Sequence, residues 1–312
     1  ATALIILAAG KGTRMKSDLP KVLHPVAGAP LLAHAMRAGQ ALAPGRMVVV
    51  AGHGAEEVGA VARGVDPEVR IAVQRDQLGT AHAVAQAAPL LAGVEGDAIV
   101  LYGDTPFIRP ETLARIARAR SEHDLVVLGF EATDPGRYGR LVMAGERLEG
   151  IVEYNDATED ECAITFCNSG VVAADAATLF DLVTAVGNDN AKGEYYLTDI
   201  VGLARARGLA RARGLSATAI ACDEAETMGV NSRADLAAAE AAFQARARAE
   251  AMENGVTLTA PETVHFAFDT AIGADTVVEP YVVFGPGVTV EAGAVIRAFS
   301  HLEGAHVAPG AV

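Results

Sequence analysis

The sequence predicts an α/β protein: an open, mostly parallel sheet covered by helices, then one connecting helix, then a short parallel β-helix. Three observations lead there. Short apolar runs alternate with helical patterns through the first two-thirds of the chain. A capped segment rich in Ala, Arg and Glu follows at Ser232–Asn254. Beyond it, apolar residues recur at every sixth position.

Ala3–Ala9 has the length and apolarity of a buried strand. Leu31–Ala43 reads as a helix, and Arg46–Gly52, with Val48, Val49 and Val50, as a second strand. Ala55–Arg63 is predicted helical, Val69–Val73 extended, and Thr80–Leu91 helical. Asp97–Tyr102 reads as a strand, Glu111–Glu122 as a helix closed by His123, and Leu125–Phe130 as a strand. Such alternation builds a parallel sheet with both faces covered. From Tyr138 to Ala174 the pattern is strand-rich and punctuated by Gly139, Gly145, Gly150 and Gly170. Antiparallel strands inserted beside the sheet are expected there.

Ser232 and Asp235 have the spacing of a capping box, and Asn254-Gly255 supplies a helix stop. In the last segment Ile272, Val278, Phe284, Val290, Ile296 and Leu302 keep a six-residue period, with Gly273, Gly285, Pro286 and Gly293 between them. That is the pattern of hexapeptide coils, each needing neighbours to bury its apolar corner. The register slips after Leu302, where Val307 arrives one residue early. The expected organisation is a domain at 1–231, a connecting helix at 232–255 and the coils at 256–312. The last residues stop inside a repeat, which reads as an artificial or proteolytic boundary.

With 312 residues, 51% of them hydrophobic, the chain has ample material for a large core and room for two domains. A net charge of −14 argues against nucleic acid and anionic membranes as partners. Yet Lys11, Arg14, Lys16 and Lys21 crowd a stretch whose only acid is Asp18. An acidic protein with one basic loop is expected to bind a small anion there. Cys162, Cys167 and Cys222 form no CxxC pair, so reduced thiols and a cytoplasmic location are expected. No apolar stretch approaches the roughly 20 residues of a membrane span. No basic segment precedes Ala3–Ala9, so no signal peptide is read. His24, His34, His53, His82, His123, His265, His301 and His306 show no metal-ligand spacing.

The first strand runs into Gly10-Lys11-Gly12-Thr13-Arg14-Met15. A glycine-rich turn at the carboxyl end of the first parallel strand is a nucleotide position in open α/β sheets. There, amides can approach phosphate without a Cβ in the way. The dinucleotide fingerprint fails, because Met15 stands where a third Gly or Ala belongs and Ala51-Gly52-His53 offers no acid. The phosphate loop G-x-x-x-x-G-K-[ST] fails at Met15 too, although Lys16 and Ser17 follow in register.

Leu7-Ala8-Ala9-Gly10-x-Gly12-Thr13-Arg14-Met15, followed by Leu19-Pro20-Lys21-Val22-Leu23, resembles the signature of sugar-nucleotide pyrophosphorylases. Gln74-x-x-Gln77-Leu78-Gly79-Thr80-Ala81-His82-Ala83 is similar to their uracil-recognition stretch, and Tyr102-Gly103-Asp104 to their metal-binding strand tip. Tyr138-Gly139-Arg140, Ile151-Val152-Glu153, Asn168-Ser169-Gly170, Gly193-Glu194-Tyr195-Tyr196-Leu197-Thr198-Asp199 and Gly229-Val230-Asn231 follow in order. With the coils, the whole chain resembles the family of bacterial bifunctional N-acetylglucosamine-1-phosphate uridyltransferase/glucosamine-1-phosphate acetyltransferases, cut short in the second domain. One departure is Asn155, where many relatives carry Lys.

The resemblance implies a Rossmann-like nucleotidyltransferase domain and a left-handed β-helix. It implies uridyl transfer from UTP to N-acetylglucosamine 1-phosphate with Mg²⁺, and a homotrimer assembled through the β-helix. Arg14 and Lys21 would contact the triphosphate and act in catalysis. Leu7, Ala8, Ala9, Gly10 and Gly12 would surround the nucleotide, although Leu7, Ala8 and Met15 alone read as packing residues. Gln74, Gly79 and Thr80 would read uracil. Tyr102, Gly103, Gly139, Glu153, Asn168, Tyr195 and Thr198 would line the sugar pocket. Asp104 and Asn231 would hold Mg²⁺; on their own they read as turn and helix-cap residues. Lys11 and Lys16 stand open between phosphate and solvent. Acetyl transfer from acetyl-CoA is expected of the longer parent, its site lying beyond Val312. Three alternatives stand beside this reading: another sugar or nucleotide specificity, a non-catalytic regulatory subunit, and acyl transfer by the coils.

Overall fold

The computed structural model describes residues 2–210 and 216–312. Two compact units emerge: Ala1–Leu23 with Leu31–Gly229, and His24–Pro30 with Val230–Val312. The first is built on a nine-stranded sheet. Its strands are β1 (Thr2–Ala8), β2 (Arg46–Ala51), β3 (Arg70–Val73), β4 (Asp97–Tyr102), β5 (Leu125–Glu131), β6 (Arg140–Ala144), β7 (Arg147–Val152), β8 (Phe166–Asp175) and β9 (Ala217–Cys222). Its helices are α1 (Leu31–Gln40), α2 (Ala55–Val65), α3 (Thr80–Ala85), α4 (Pro110–Ala119), α5 (Glu159–Cys162), α6 (Ala176–Thr184) and α7 (Asp199–Ala210).

The main path runs β9-β5-β8-β4-β1-β2-β3, with β6 pairing both β8 and β7. β1 is parallel to β2 and β4, so Ile5 lies between Val48 and Val100. A strand covered on both faces has no polar side, which is why Ala3, Leu4, Ile5 and Ile6 are all fully buried. Alternation along these strands makes two cores. On one face Ile5, Val48 and Val100 pack with Ala81, Leu179 and Val201. On the other, Leu4, Ile6, Val49 and Ile99 pack with Leu32, Met36, Val58, Leu113 and Ile116. β8 enters antiparallel between β4 and β5. β6 and β7 form the expected antiparallel insertion beside it. The sheet is therefore mixed and mostly parallel, as the sequence pattern implies.

Several boundaries differ from expectation for physical reasons. The predicted helix 80–91 stops at Ala85 and yields to a 3₁₀ turn at Ala88–Leu90. Pro89 cannot donate to the preceding turn and would clash with it. The predicted helix 31–43 ends at Gln40, and Ala43 turns to φ 47 just before Pro44. A residue before proline avoids the helical region. α4 begins one residue early, with Pro110 in its first turn, where a missing N–H costs nothing. α5 carries its own capping box, from Thr158 to Glu161.

The second unit contains α8 (Arg233–Glu253), started by the expected Ser232–Asp235 capping box. A small hairpin pairs Pro25–Val26 with Ala29–Pro30. It falls within the stretch read as the first domain, yet it packs in the second unit. The Ala27 N–H donates to Glu240 Oε2 at 2.7 Å, and the Phe268 N–H donates to the Ala27 carbonyl at 2.8 Å. Two-residue strands follow, pairing parallel in three ladders. Most partners are eighteen residues apart, as in Ala271 with Thr289, Val277 with Val295 and Val283 with His301. Thr289 pairs instead with His306, which is the slip seen at Val307. Left-handed backbone recurs at Asp275, Tyr281, Gly287, Gly293, Phe299 and Gly304, one corner per short strand. Val278, Phe284, Val290 and Ile296 point inward and are buried.

Phe284 is 2% exposed and lies 5.5 Å from Phe266 between ring centres. Phe284→Ala is expected to destabilise the second unit by about 3–5 kcal/mol in urea titration. A loss below about 1 kcal/mol would show that this position does not anchor the coils.

Candidate functional site

The carboxyl ends of β1 and β4 open into a cleft of about 1220 Å³, all of it within the first unit. Leu7, Ala8, Ala9 and Gly10 form its edge as β1 ends. Lys21 reaches it from the 3₁₀ turn Lys21–Leu23, and Tyr102 and Asp104 from the tip of β4. The two tips are joined at the bottom, where the Gly103 N–H donates to the Leu7 carbonyl at 2.9 Å. Gly12 has φ 61, and a Cβ on it would lie 2.6 Å from Lys21 Cβ. A glycine there lets the basic loop fold down over Lys21.

The Lys21 ammonium is ion-paired with the Asp104 carboxylate, both groups mostly buried. Arg14 lies on the 3₁₀ turn Thr13–Met15, exposed and outside the cleft lining. Lys11 and Lys16 are exposed on the same loop. Lys21 thus lines the cleft and Arg14 does not.

Gln74 follows β3 and is 4% exposed. Its Nε2 donates to the Gly79 carbonyl at 3.1 Å. Gln77 donates from its amide to the Ala9 carbonyl, tying this segment to the end of β1. Gly79 has φ 116, and any Cβ on it would run into the Tyr195 backbone. Tyr195 closes this wall through its main chain: its N–H donates to Leu78 at 2.8 Å and its carbonyl accepts from Ala81 at 2.9 Å. Thr80 accepts from the Leu197 N–H at 2.9 Å.

A second group of polar residues lines the same cleft: Glu153 after β7, Asn168 on β8 and Thr198 before α7. Thr198 Oγ1 donates to Glu153 Oε1 at 3.2 Å. Gly139 is buried beside them; a Cβ there would lie 3.3 Å from Ile151 Cγ2 and 3.5 Å from Glu153 Oε1. Its carbonyl accepts from the Asn168 N–H at 2.9 Å. Tyr196, not Tyr195, is among the residues lining the cleft, together with Lys192, Glu194, Val22, Gln77 and Ala83. The sequence reading chose Tyr195 from the GEYYLTD block, whereas the cleft lining includes Tyr196; only the local backbone path decides between them. Asn155 is exposed and accepts from Arg137 Nη2 at 3.3 Å. Asn231 belongs to the second unit, where its N–H donates to Asp235 Oδ2 at 3.0 Å just ahead of α8.

Burial raises the Glu153 carboxyl above its ordinary value of 4.5, with Asp156 and Asp199 adding to the rise; Thr198 and Lys192 pull it back. Burial, then the charges of Asp104 and Glu153, push the Tyr102 phenol up, so it stays protonated. The Cys222 thiol is pushed up to about 12, chiefly by burial, and stays unreactive.

Among the described residues, no cluster of three or more His, Cys, Asp or Glu is placed to hold a metal. A magnesium-type site needs no such cluster. Such an ion takes one or two carboxylates and fills its shell with water and substrate phosphate. Asp104, a hard oxygen donor on the cleft wall, fits that role.

Residues 4–167 match the family model of the MobA-like NTP transferase domain. The chain is 64% identical over 311 residues to the bifunctional protein GlmU of Roseobacter denitrificans, covering 100% of this chain and 68% of that protein. It is 67% identical over 311 residues to the bifunctional protein GlmU of Ruegeria pomeroyi, with the same coverage. The chain belongs to the GlmU family. It spans about two thirds of the length of these GlmU relatives. In fold it is similar to a UDP-glucose pyrophosphorylase crystallised with UDP-glucose, at TM-score 0.60 and 15% identity, over 78% of this chain and 99% of that one. It is also similar to the inositol-1-phosphate CTP transferase from T. maritima, at TM-score 0.60 and 18% identity, over 77% and 94%. As a GlmU-family member with this domain, the chain is a nucleotidyltransferase that acts on a nucleoside triphosphate and a sugar phosphate with a divalent metal.

The Glu153 shift has a consequence for stability. A carboxyl whose folded pKa lies above its unfolded one binds its proton more tightly in the fold. Ionisation then costs stability at neutral pH, and that cost disappears as pH falls below the unfolded value. Glu153→Gln is expected to melt higher than the parent at pH 7, the gap closing on acidification through the carboxylate range. A lower melting temperature at pH 7 would contradict the assigned direction.

Proposed function

We propose that this enzyme joins the uridyl group of UTP to N-acetylglucosamine 1-phosphate, releasing pyrophosphate, with Mg²⁺ as its metal. The observation that carries the reading is one cleft lined by two differently equipped sets of groups. The Gly10 loop, Lys21, Asp104 and the Gln74–Thr80 wall make one set of lining groups; Glu153, Asn168 and Thr198 make the other.

An oxygen of the sugar phosphate attacks the α-phosphorus of UTP in line with the leaving pyrophosphate. One P–O bond forms as another breaks, with no covalent enzyme intermediate. Both reactants are polyanions, so opposing charge must first be cancelled. Lys21 moves from Asp104 toward the α-phosphate and balances charge as the bond changes hands. Arg14 reaches the outer phosphates from the rim, its fork suited to two oxygens. Asp104 would hold the magnesium ion, which would supply positive charge to offset that of the phosphates. The backbone from Leu7 to Gly10, with Gly12, follows the nucleotide. Gln74, Gly79 and Thr80 face uracil. Tyr102 and Gly103 floor the sugar end, and Gly139 leaves space there. Ionised Glu153 and the Asn168 amide take the sugar hydroxyls and acetamide, with Thr198 orienting Glu153. Tyr195 acts through its backbone. Positioning and fixed charge supply most of the acceleration.

A narrow apolar recess adjoins the sugar end, lined by Val127, Ile151, Val172 and Leu197 beside Asn168 and Thr198. It supports an N-acetyl sugar, whose methyl group has somewhere dry to go. The eighteen-residue ladders and six-residue corners support a left-handed β-helix for the last segment. A homotrimer built on it is supported by Tyr281 and Phe299, exposed and stacked 5.2 Å apart between ring centres. Residence in the cytoplasm is supported by three free thiols. Among the described residues no helix is long and apolar enough to cross a membrane.

Purified protein is expected to release pyrophosphate from UTP only when N-acetylglucosamine 1-phosphate and Mg²⁺ are both present. Equal turnover with ATP or with glucose 1-phosphate would reject the assigned specificity. Asp104→Ala is expected to lower kcat by at least about a hundredfold with unfolding unchanged; retained turnover would remove Asp104 from the metal site. Light scattering is expected to give the mass of three chains, and a monomer at all concentrations would exclude assembly through the coils.

A further inference from the structure

The wall around Gln74 holds more hydrogen-bond machinery than one amide needs to stay in place. The Gln74 main-chain N–H donates to the Ala51 carbonyl at 2.8 Å. Its side-chain Nε2 donates to the Gly79 carbonyl at 3.1 Å and lies 2.9 Å from Nδ1 of His82. A carbonyl oxygen only accepts, so Gly79 decides which end of the amide is nitrogen. His82 Nδ1 takes the second amide hydrogen when that nitrogen carries its lone pair. Gln86 steadies the ring from the next turn of α3. Its Nε2 donates to the His82 carbonyl at 3.1 Å and lies 3.2 Å from His82 Nε2. With the lone pair at Nδ1, the ring hydrogen sits on Nε2, facing the Gln86 side chain. With both hydrogens used, Gln74 has only Oε1 left for a ligand. Among the described residues, no N–H or O–H donates to that oxygen within hydrogen-bond reach.

We propose that His82 is a positioning residue that locks Gln74 as a pure acceptor toward the base and so selects uracil over cytosine. The inference rests on Gln74 reading the base, as in the proposed function. Uracil presents an imide N3–H, which an amide oxygen accepts. Cytosine presents a lone pair at N3, which the same oxygen repels. An amide free to turn over could serve both bases; one held at Gly79 and His82 serves the first. Glycine at 79 is part of the device, since its carbonyl also accepts the first α3 helix bond from Ala83 at 3.1 Å and is thereby fixed in space.

The test is the ratio of kcat/KM for UTP to that for CTP, with N-acetylglucosamine 1-phosphate as acceptor. The variants are His82→Leu, His82→Asn, His82→Gln and Gln74→Ala. Asn places an amide oxygen near the Nδ1 position, whereas Gln places one near Nε2. His82→Leu is expected to lower the ratio about tenfold, the size of one lost hydrogen bond to a reading group. His82→Asn should hold it within about threefold, and His82→Gln should not. KM for the sugar phosphate should stay at the parent value in all three. An unchanged ratio in His82→Leu, with a collapsed ratio in Gln74→Ala, overturns the role of His82 and leaves base reading by Gln74 standing. An unchanged ratio in both overturns base reading as well. If His82→Leu does not fold, the Asn and Gln variants decide the matter, and equal ratios in those two overturn the proposal.

Discussion

A cleft that receives two polyanions must keep cations inside it, and a cation at rest in a half-buried place needs a counter-charge. The Lys21–Asp104 pair meets both demands. Neither group would be stable alone where it sits, because an unpaired buried charge is expensive. Together they hold the basic loop against the tip of β4 without filling the space beside them. The pair exists because β1 and β4 are neighbours, tied by the bond from the Gly103 N–H to the Leu7 carbonyl. It also needs a glycine at position 12, where any larger residue would meet Lys21. Sheet order, loop composition and charge placement are therefore one constraint expressed three times.

The cleft wall around Glu153 is organised by a different principle. Glu153 and Tyr102 are both pushed toward their protonated forms by burial, and the Glu153 charge adds to the rise at Tyr102. Thr198 and Lys192 work against this for Glu153. The outcome is an acceptor whose charge is held by a few named contacts instead of by bulk water. A ligand offering hydroxyl donors replaces what the carboxylate lost on burial, which a plain anion could not do.

Much of the fold was legible because its signals are local. Ala3–Ala9 is apolar throughout, the Ser232–Asp235 box starts α8, and the six-residue period marks the short parallel strands down to the slip at Val307. The loop from Gly10 to Lys21 and the tip at Asp104 were legible as motifs, and the structure brings Lys21 and Asp104 together. What stayed hidden depends on partners distant in sequence. The hairpin at 24–30 belongs with α8 because Ala27 meets Glu240, 213 positions away, and no periodicity announces such a pairing. Tyr195 and Tyr196 are indistinguishable in the sequence; one bonds the Gly79 wall through its backbone, and the other lines the cleft. Helix 80–91 was overextended because its apolar pattern outlasts the proline that breaks it.

Gly79 bears on how such an enzyme can diversify. Its main chain is pressed so closely to that of Tyr195 that no other residue fits without moving both segments. Backbone packed on backbone is blind to side-chain drift, so this wall resists gradual change. A lineage adopting a different nucleotide would have to leave the wall alone and alter the side chains hung upon it. The adaptable surface is thereby confined to a few positions on an inherited frame.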